Sequence, residues 1–250
     1  MKTNTEYKNA ALAALKGNWA KAVLAFVVYL AIMTLALGPY MLYSTKMNAY
    51  MMENAPVTSF SLSSILNSAL ALAQDPEYIA LESKTQGWNA VYLLMLVFVV
   101  WPLSVGISNA FLRLLTGGEN DILGNTYKIA TKNYWHKMWG MLLMRIFISL
   151  WSLLFIIPGI VKVFSYAMTP YILEENPELS ANDAINRSRA MMRGHKFDLF
   201  WLWLSFIGWA VLSICTLGIG LFWLAPYMET SVAAFYEDVK ADYEKNGGLI

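Results

Sequence analysis

Residues 20–43 read AKAVLAFVVYLAIMTLALGPYMLY, and this stretch decides the fold class. It is apolar almost throughout and holds one charge, Lys21, at its edge. A helix needs about 20 apolar residues to cross the hydrocarbon core of a bilayer. The stretch therefore predicts a membrane-spanning helix.

The composition of the whole chain indicates the same class. Hydrophobic residues make up 58% of the 250 residues and charged residues 14%, whereas soluble domains have about 45–50% and about 25%. A soluble fold could not cover that much apolar surface with so few charges. Disordered chains lack such residues, and the single cysteine, Cys215, excludes a disulfide-stapled domain. The sequence predicts an integral membrane protein.

Five further apolar stretches bring the predicted number of spans to six, arranged as three hairpins in an all-α helical bundle. The second span, residues 88–115, is interrupted by Pro102, and the third, residues 138–157, ends at Pro158-Gly159, a dipeptide that favours a tight turn. The remaining spans are residues 160–173, 199–216 and 221–236. Because the fourth span has only 14 residues, five spans are the alternative, with that segment re-entrant.

The distribution of basic residues favours six spans with both termini in the cytoplasm. With that topology, 15 of the 18 lysines and arginines lie inside, and only Lys46, Lys84 and Lys162 lie outside. Such asymmetry is what the positive-inside rule requires. Residues 44–87 then form an outer loop, and Lys162 is expected to extend to the outer surface.

Each outgoing span follows a moderately amphipathic stretch that ends in basic and aromatic residues. The three endings are Lys16-Gly17-Asn18-Trp19, Lys132-Asn133-Tyr134-Trp135 and Arg193-Gly194-His195-Lys196. They predict three interfacial helices at the inner face, each followed by a hairpin, within a single membrane domain over residues 1–250. The hairpin units are roughly residues 1–115, 116–175 and 176–250. Threefold repetition and the ordinary flanks of a multipass protein explain the pattern equally well.

From Ile157 to Tyr236 the sequence resembles a known family. The run IPGIVKVFSYAMTPYILEENPELSANDAINRSRAMMRGHKFDLFWLWLSFIGW, followed by TLGIGLFWLAPYMETSVAAFY, is similar to the bacterial membrane family called domain of unknown function 975. Leu15-Lys16-Gly17-Asn18-Trp19 resembles the family's opening motif. The resemblance extends over the whole chain and is most specific in the final third. It implies a polytopic, all-helical protein of the bacterial cytoplasmic membrane, with no established activity, cofactor or catalytic residue.

Glu229 is the most unusual residue within a predicted span. It is expected near the bilayer midplane, three residues after Pro226, where an ionisable group is costly and usually faces the bundle interior or a water-filled cavity. It could be a proton or cation site, or it could simply pair with Arg145 of span three. The candidate residues for a substrate or ion are Glu229, Arg145, Pro226 and Asn109.

The polar segment between spans four and five changes sign along its length. The helix predicted from Ser180 has acids at its start and bases near its end. Both complement the helix dipole, and this alone explains the pattern. Alternatively, the basic end binds lipid phosphate or docks a partner protein. The residues of this candidate patch are Arg187, Arg189, Arg193, His195 and Lys196.

Sequence motifs for catalysis, metal binding and phosphate binding do not occur in this chain. We therefore expect no catalytic residue, no metal, no cofactor and no nucleic-acid partner. The favoured interpretation is a protein that binds or moves a small or lipid-like molecule, with anionic lipid at its inner face. A non-catalytic scaffold or accessory subunit, with protein partners or as a homo-oligomer, is the alternative, and an intramembrane enzyme is a distant third.

Overall fold

A computed structural model describes residues 1–54, 61–118 and 120–247. Within these ranges all regular secondary structure is helical, as predicted. The helices are α1 (Asn4–Leu15), α2 (Trp19–Asn54), α3 (Leu62–Gln74), α4 (Pro76–Met95), α5 (Trp101–Leu115), α6 (Ile122–Thr131), α7 (Tyr134–Leu154), α8 (Ile156–Ser165), α9 (Thr169–Glu175), α10 (Ala181–Met191), α11 (Lys196–Leu204), α12 (Ile207–Cys215) and α13 (Leu221–Lys245). A π-helical turn, Leu96–Val100, joins α4 to α5.

Five helical segments are long and apolar enough to cross a membrane. They are Trp19–Asn54, Pro76–Leu115, Tyr134–Leu154, Ile156–Glu175 and Lys196–Cys215. A multipass membrane protein is thereby supported. α13, which contains the predicted sixth span, does not belong to this set, and its 25 residues carry charged side chains from Glu229 onward.

The interruption predicted at Pro102 is a π-helical turn and not a gap in the helix. Proline has no N–H to donate to the preceding turn. The wider π-helical turn, Leu96–Val100, lies directly before it, and such turns commonly relieve this kind of conflict within a helix. Pro76–Leu115 therefore remains one helical segment.

The turn predicted at Pro158-Gly159 lies three residues earlier. Phe155 has extended backbone angles, φ −157° and ψ 143°, and separates α7 from α8. Pro158 lies in the first turn of α8, where a proline removes no helical hydrogen bond. The fourth apolar segment consequently has 20 residues rather than 14, which is long enough to cross a bilayer.

The ends of two helical hairpins share one packing arrangement. A Cβ atom added to Gly159 would lie 2.9 Å from the Cα of Ser152, and one added to Gly220 would lie 2.9 Å from the Cα of Ser213. Each serine precedes its glycine by seven residues and donates its hydroxyl to the carbonyl oxygen four residues earlier, at 2.9 and 2.8 Å. Only glycine permits this approach, so the sequence requires it at both positions.

The described chain forms two compact units, and the smaller one is Leu30–Val100. Most of the predicted outer loop, residues 44–87, is helical here, because α2 and α4 extend into it and α3 lies between them. Residues 55–60 lie outside the described part. Tyr50 donates its hydroxyl to the Asp75 carboxylate at 2.8 Å, and this hydrogen bond lowers the pKa of Asp75.

The larger unit comprises Met1–Tyr29 and Trp101–Ile250. The apolar faces of its short helices are covered by protein, and their predicted place at the inner membrane surface remains a prediction. α6 packs on α5, α10 packs on α9 and α7, and α1 packs on α13. α5 and α6 approach closely at Gly106, where an added Cβ would lie 2.3 Å from the carbonyl oxygen of Thr126 in α6. The contact of α1 with α13 places the first helix against the last one.

Candidate functional site

Glu229 lies on α13 and contacts α5. Its Oε1 accepts a hydrogen bond from the Ser108 hydroxyl. The next residue, Asn109, is buried and donates its side-chain amide to the carbonyl oxygens of Val105 and Pro170, each at 2.9 Å. Ser108 thus connects α5 to α13 at Glu229, whereas Asn109 connects α5 to α9 and does not bind the carboxylate.

The other two candidates of this group are separate from that contact. Pro226 is buried inside α13, and its carbonyl oxygen accepts a hydrogen bond from the Thr230 hydroxyl at 2.7 Å. Arg145 is exposed on α7 and forms no ion pair with Glu229 or with any other acid in the described residues. The pairing of Glu229 with Arg145 that the sequence allows is not formed.

Two stacked tyrosines lie beside this region. The rings of Tyr171 on α9 and Tyr236 on α13 are 4.5 Å apart between centroids and inclined by 16°. The Tyr236 hydroxyl donates to Glu175 at 2.7 Å. The buried Tyr171 hydroxyl has no hydrogen-bond partner among the described residues.

Three consecutive residues at the end of α9, Glu174, Glu175 and Asn176, join four other helices, and we call them the acidic junction. Glu174 binds Arg113 of α5 at 3.1 Å and Lys137 of α7 at 2.6 Å. Both ion pairs lie at the C-terminal end of α9, where the helix leaves carbonyl groups without helical partners. The cations therefore neutralise Glu174 and the negative end of the helix dipole together.

The rest of the acidic junction faces α10 and α13. Glu175 forms an ion pair with Lys240 at 2.7 Å, and Asn176 Oδ1 accepts a hydrogen bond from Arg187 at 2.9 Å. The sequence predicts only that the acids of this segment complement a helix dipole. It does not predict their ion pairs, because the partner residues lie far away in the chain. The one available signal is two adjacent carboxylates directly after an apolar segment.

Lys137 is a charged residue in the interior of the protein. None of its side-chain surface is exposed. Besides Glu174, its ammonium group binds the carbonyl oxygens of Ile129 and, at 2.7 Å, Lys132. Three acceptors match the three donors of a lysine ammonium, and this is what permits a charge at such a position.

The basic patch predicted from sequence divides into two groups. Arg187 binds Asn176, and its guanidinium lies 5.9 Å from the centre of the Tyr243 ring. His195 lies between Asp198 and Asp242, with its ring nitrogens 3.3 and 3.2 Å from carboxylate oxygens. These two residues connect α10 and α11 to α13. The remaining residues, Arg189, Arg193 and Lys196, form no ion pair with a described acid and stay partly or fully exposed.

Most of these contacts involve residues between positions 154 and 243. Residues 154–243 match the family model described as Protein of unknown function (DUF975). The chain resembles this family. No curated protein and no solved structure gives a significant match.

The DUF975 match begins at the end of α7 and continues into α13. It contains the acidic junction and the basic patch. The opening motif at residues 15–19 lies outside the matched range, so the resemblance of that part remains a prediction.

Lys162, within the DUF975 region, lies beside two aromatic rings. Its ammonium nitrogen lies 4.5 Å from the ring centre of Trp151 and 5.6 Å from that of Tyr166. Its predicted extension to the outer surface remains a prediction.

A groove runs between α8 and α11. It consists of two adjoining cavities of about 330 and 420 Å³ that share Ile160, Phe164 and Phe200. The first cavity ends at Gly194 and Lys196, and the second continues to Trp203 and Ile207. We call this the α8–α11 groove. Its lining is apolar except at the end where Lys196 lies.

Two other cavities occur in the larger unit. One, of about 460 Å³, is lined by three tryptophans, Trp19, Trp209 and Trp223, and has no charged residue in its wall. The other, of about 650 Å³, is polar and lies between α10 and the end of α13. Glu229 lines none of these four cavities.

The described part of the chain holds no group of three or more His, Cys, Asp or Glu side chains suited to a metal ion. Of the two histidines, His195 is bound to aspartates, and His136 has a buried Nε2 without a described partner. Cys215 is a free, exposed thiol.

Proposed function

We propose that this chain is a six-span protein of the bacterial cytoplasmic membrane that binds a lipid-like molecule in the α8–α11 groove. The sixth span is the apolar first part of α13, up to Tyr236, which returns the chain to the inner side. Both termini then lie in the cytoplasm, and the spans form three hairpins. Support comes from the basic residues, because six spans place 15 of the 18 inside, whereas an outer C-terminal helix would leave 13 inside.

The observation that carries the proposal is the shape and chemistry of the α8–α11 groove. Apolar and aromatic side chains line it, and one basic residue, Lys196, lies at its end. A lipid-like molecule has the same division into a long apolar part and a polar end. Membrane proteins commonly bind lipid head groups with basic residues on the cytoplasmic side.

Transport through a site at Glu229 has weaker support. The carboxylate already accepts a hydrogen bond from Ser108, and none of the described cavities reaches it. Transporter sites commonly use helices that unwind at the binding position. Here the helix remains continuous through both Pro102 and Pro226.

The proposal is tested by filling the groove. Val161 lines it and is 42% exposed, so a tryptophan there would occupy the space without disturbing the core. We expect Val161→Trp to remove lipid that copurifies with the wild-type protein in native mass spectrometry. Val211→Trp is the matched control, because Val211 is 54% exposed on α12 and does not line the groove. Equal lipid content in all three proteins would disprove binding in the groove.

A non-catalytic scaffold is the second candidate, and the exposure of Arg189 on α10 and of Arg193 in the turn that follows favours it. A scaffold that docks an acidic partner would lose that partner in an Arg189→Glu/Arg193→Glu variant. Its lipid content would be unaffected by Val161→Trp. Glu229→Gln separates both candidates from an ion-coupled transporter, because only the transporter would lose its function in this variant.

A further inference from the structure

The polar cavity between α10 and the C-terminal end of α13 differs from the apolar cavities of the larger unit, and we call it the α10–α13 cavity. Its volume is about 650 Å³, which is within the range common for small-molecule sites. Its wall contains one cation, Arg187, and two acids, Asp183 and Glu244, together with Asn186 and Tyr243. The proposed topology places this cavity on the cytoplasmic side of the membrane.

Arg187 is held in position by uncharged groups. Its Nη1 donates to Asn176 Oδ1 at 2.9 Å, and its guanidinium lies 5.9 Å from the centre of the Tyr243 ring. It forms no ion pair with a described acid. Because a guanidinium has five N–H donors, the one hydrogen bond to Asn176 leaves donors for the oxygens of an anion.

The two acids of the wall do not neutralise Arg187. Asp183 lies one turn before Arg187 on α10, a spacing at which an acid and a base on a helix commonly pair. Its Oδ2 instead accepts a hydrogen bond from the Ser180 hydroxyl at 2.6 Å. Glu244 is exposed on α13 and forms no ion pair with a described base. The cavity therefore presents one positive and two negative charges that are not paired with one another.

We infer that the α10–α13 cavity binds a small zwitterion that carries a primary ammonium group and a carboxylate, as amino acids and short peptides do. Arg187 binds the carboxylate, because its planar guanidinium matches two carboxylate oxygens. Asp183 and Glu244 accept hydrogen bonds from the ammonium group, which has three N–H donors.

The mixed charge of the wall determines which ligands the cavity excludes. A simple anion would bind Arg187 but would be repelled by Asp183 and Glu244, and a simple cation would be repelled by Arg187. A zwitterion avoids both penalties. The inference goes beyond the proposed function, since this ligand is soluble and the cavity shares no lining residue with the α8–α11 groove.

The test compares zwitterions with analogues that lack one charge. Full-length protein in detergent is titrated with alanine and with alanyl-alanine by isothermal calorimetry. N-acetyl-alanyl-alanine lacks the ammonium group, and alanyl-alanine amide lacks the carboxylate. We expect at least one zwitterion to bind and both blocked peptides to bind about tenfold more weakly than alanyl-alanine, because each loses a charged hydrogen-bonding partner. Binding of alanyl-alanine alone would identify short peptides as the ligand, and preference for alanine would identify amino acids.

Two substitutions test the residues of the wall. Arg187→Gln should weaken the bound zwitterion about tenfold, and Glu244→Gln about threefold, because Glu244 is exposed. Glu244→Gln removes no contact within the described fold, so it keeps the test valid if Arg187→Gln does not fold. Glu178→Gln is the matched control, since Glu178 is an exposed glutamate outside the cavity wall and should leave the affinity unchanged.

The inference is overturned if neither zwitterion binds, if the blocked peptides bind as tightly as alanyl-alanine, or if Glu244→Gln binds as wild type does. None of these results would affect the proposed function. Lipid binding is measured separately with Val161→Trp, and Val161 does not line the α10–α13 cavity.

Discussion

At the scale of single residues, Lys137 shows how strongly the environment of a charge depends on distant partners. Its neighbours in sequence are basic and aromatic, which is typical of an exposed inner flank. In the structure its side chain is fully buried and binds Glu174. An unpaired charge at such a position would be very costly, and the ion pair with its additional carbonyl contacts makes it tolerable.

Removal of one partner of this ion pair should be strongly destabilising. We expect Lys137→Gln to lower the free energy of unfolding by about 3–5 kcal/mol, because Glu174 keeps its charge and loses its closest cation. Thermal unfolding of the detergent-purified protein measures the change. Lys128→Gln, at an exposed lysine of similar sequence context, should alter stability by no more than about 0.5 kcal/mol. Equal melting temperatures of the two variants would contradict the importance of the buried pair.

Asp238 is a second residue whose partners lie at the other end of the chain. It accepts hydrogen bonds from the Tyr7 hydroxyl at 2.5 Å and the Lys2 backbone N–H at 2.7 Å. Partial burial raises the pKa of Asp238, but these two hydrogen bonds and the positive charges of the N-terminus and Lys2 outweigh it. The pKa of Asp238 therefore lies below its ordinary value of about 3.9.

A lowered pKa in the folded state gives the stability a defined pH dependence. Asp238 stabilises the contact of α1 with α13 above about pH 4, and this contribution is lost as the pH falls through the lowered pKa. We expect Tyr7→Phe to cost about 1 kcal/mol near neutral pH. The difference from wild type should shrink in acid, as measured by thermal unfolding against pH. Tyr127→Phe, at a tyrosine that is 68% exposed, should show no such change.

At the scale of helices, the hairpin ends depend on two glycines that are equivalent in space. An alanine Cβ at Gly159 or Gly220 would lie 2.9 Å from a serine Cα, a backbone atom that cannot move away without shifting the helix. We expect Gly159→Ala and Gly220→Ala each to destabilise the protein by about 1–3 kcal/mol. Thermal unfolding of purified protein tests this.

Gly208→Ala is the control for these two substitutions. Gly208 lies in α12, and an added Cβ would have no neighbour within 4 Å. Alanine there should be neutral or slightly stabilising, because it favours the helix more than glycine does. A similar loss at Gly208 would show that the hairpin contact is not the cause.

The short helices show how much an amphipathic pattern predicts about the surroundings of a helix. An amphipathic pattern predicts an apolar face, but it does not specify whether lipid or protein covers that face. α6 buries Ile122, Asn125, Thr126, Ile129 and Ala130. Two of these five are polar, and Gly106 of α5 allows the backbone to approach at Thr126. Small and polar residues on the buried face are therefore the sign of protein contact that the amphipathic pattern alone does not provide.

At the scale of the whole molecule, the orientation in the membrane is the property to test first. The proposed topology places Cys215, at the end of α12, near the outer face. Since it is the single cysteine and is exposed, a membrane-impermeant thiol reagent should label wild-type cells whose outer permeability barrier has been opened. In a Cys215→Ser background, a cysteine at Asn186 of α10 should remain unlabelled until the membrane is lysed. Labelling of position 186 in intact cells would mean that the orientation is reversed.

The ends of the chain are joined in the larger unit. α1 packs on α13, while α6 packs on α5, and α10 packs on α9 and α7. The position of α1 on α13 is therefore similar to the position of α6 on α5 and of α10 on α9. This similarity and the matched hairpin ends at Gly159 and Gly220 are both consistent with threefold repetition.

The sequence by itself determines the all-helical class, the multipass character, most span positions and the resemblance to a family of unknown function. The helical class, the multipass character and the span positions follow from the free energy of moving apolar side chains into lipid and from local hydrogen bonding. Both depend on residues that are close together in the sequence. Only the tertiary structure decides that Glu174 binds Arg113 and Lys137, that Glu229 binds Ser108, and that Lys162 lies beside Trp151. Each of these contacts joins residues of different helices, and a charge in a membrane protein is tolerated or exposed according to such partners. Their positions depend on how the helices pack, which the order of apolar and polar residues does not specify.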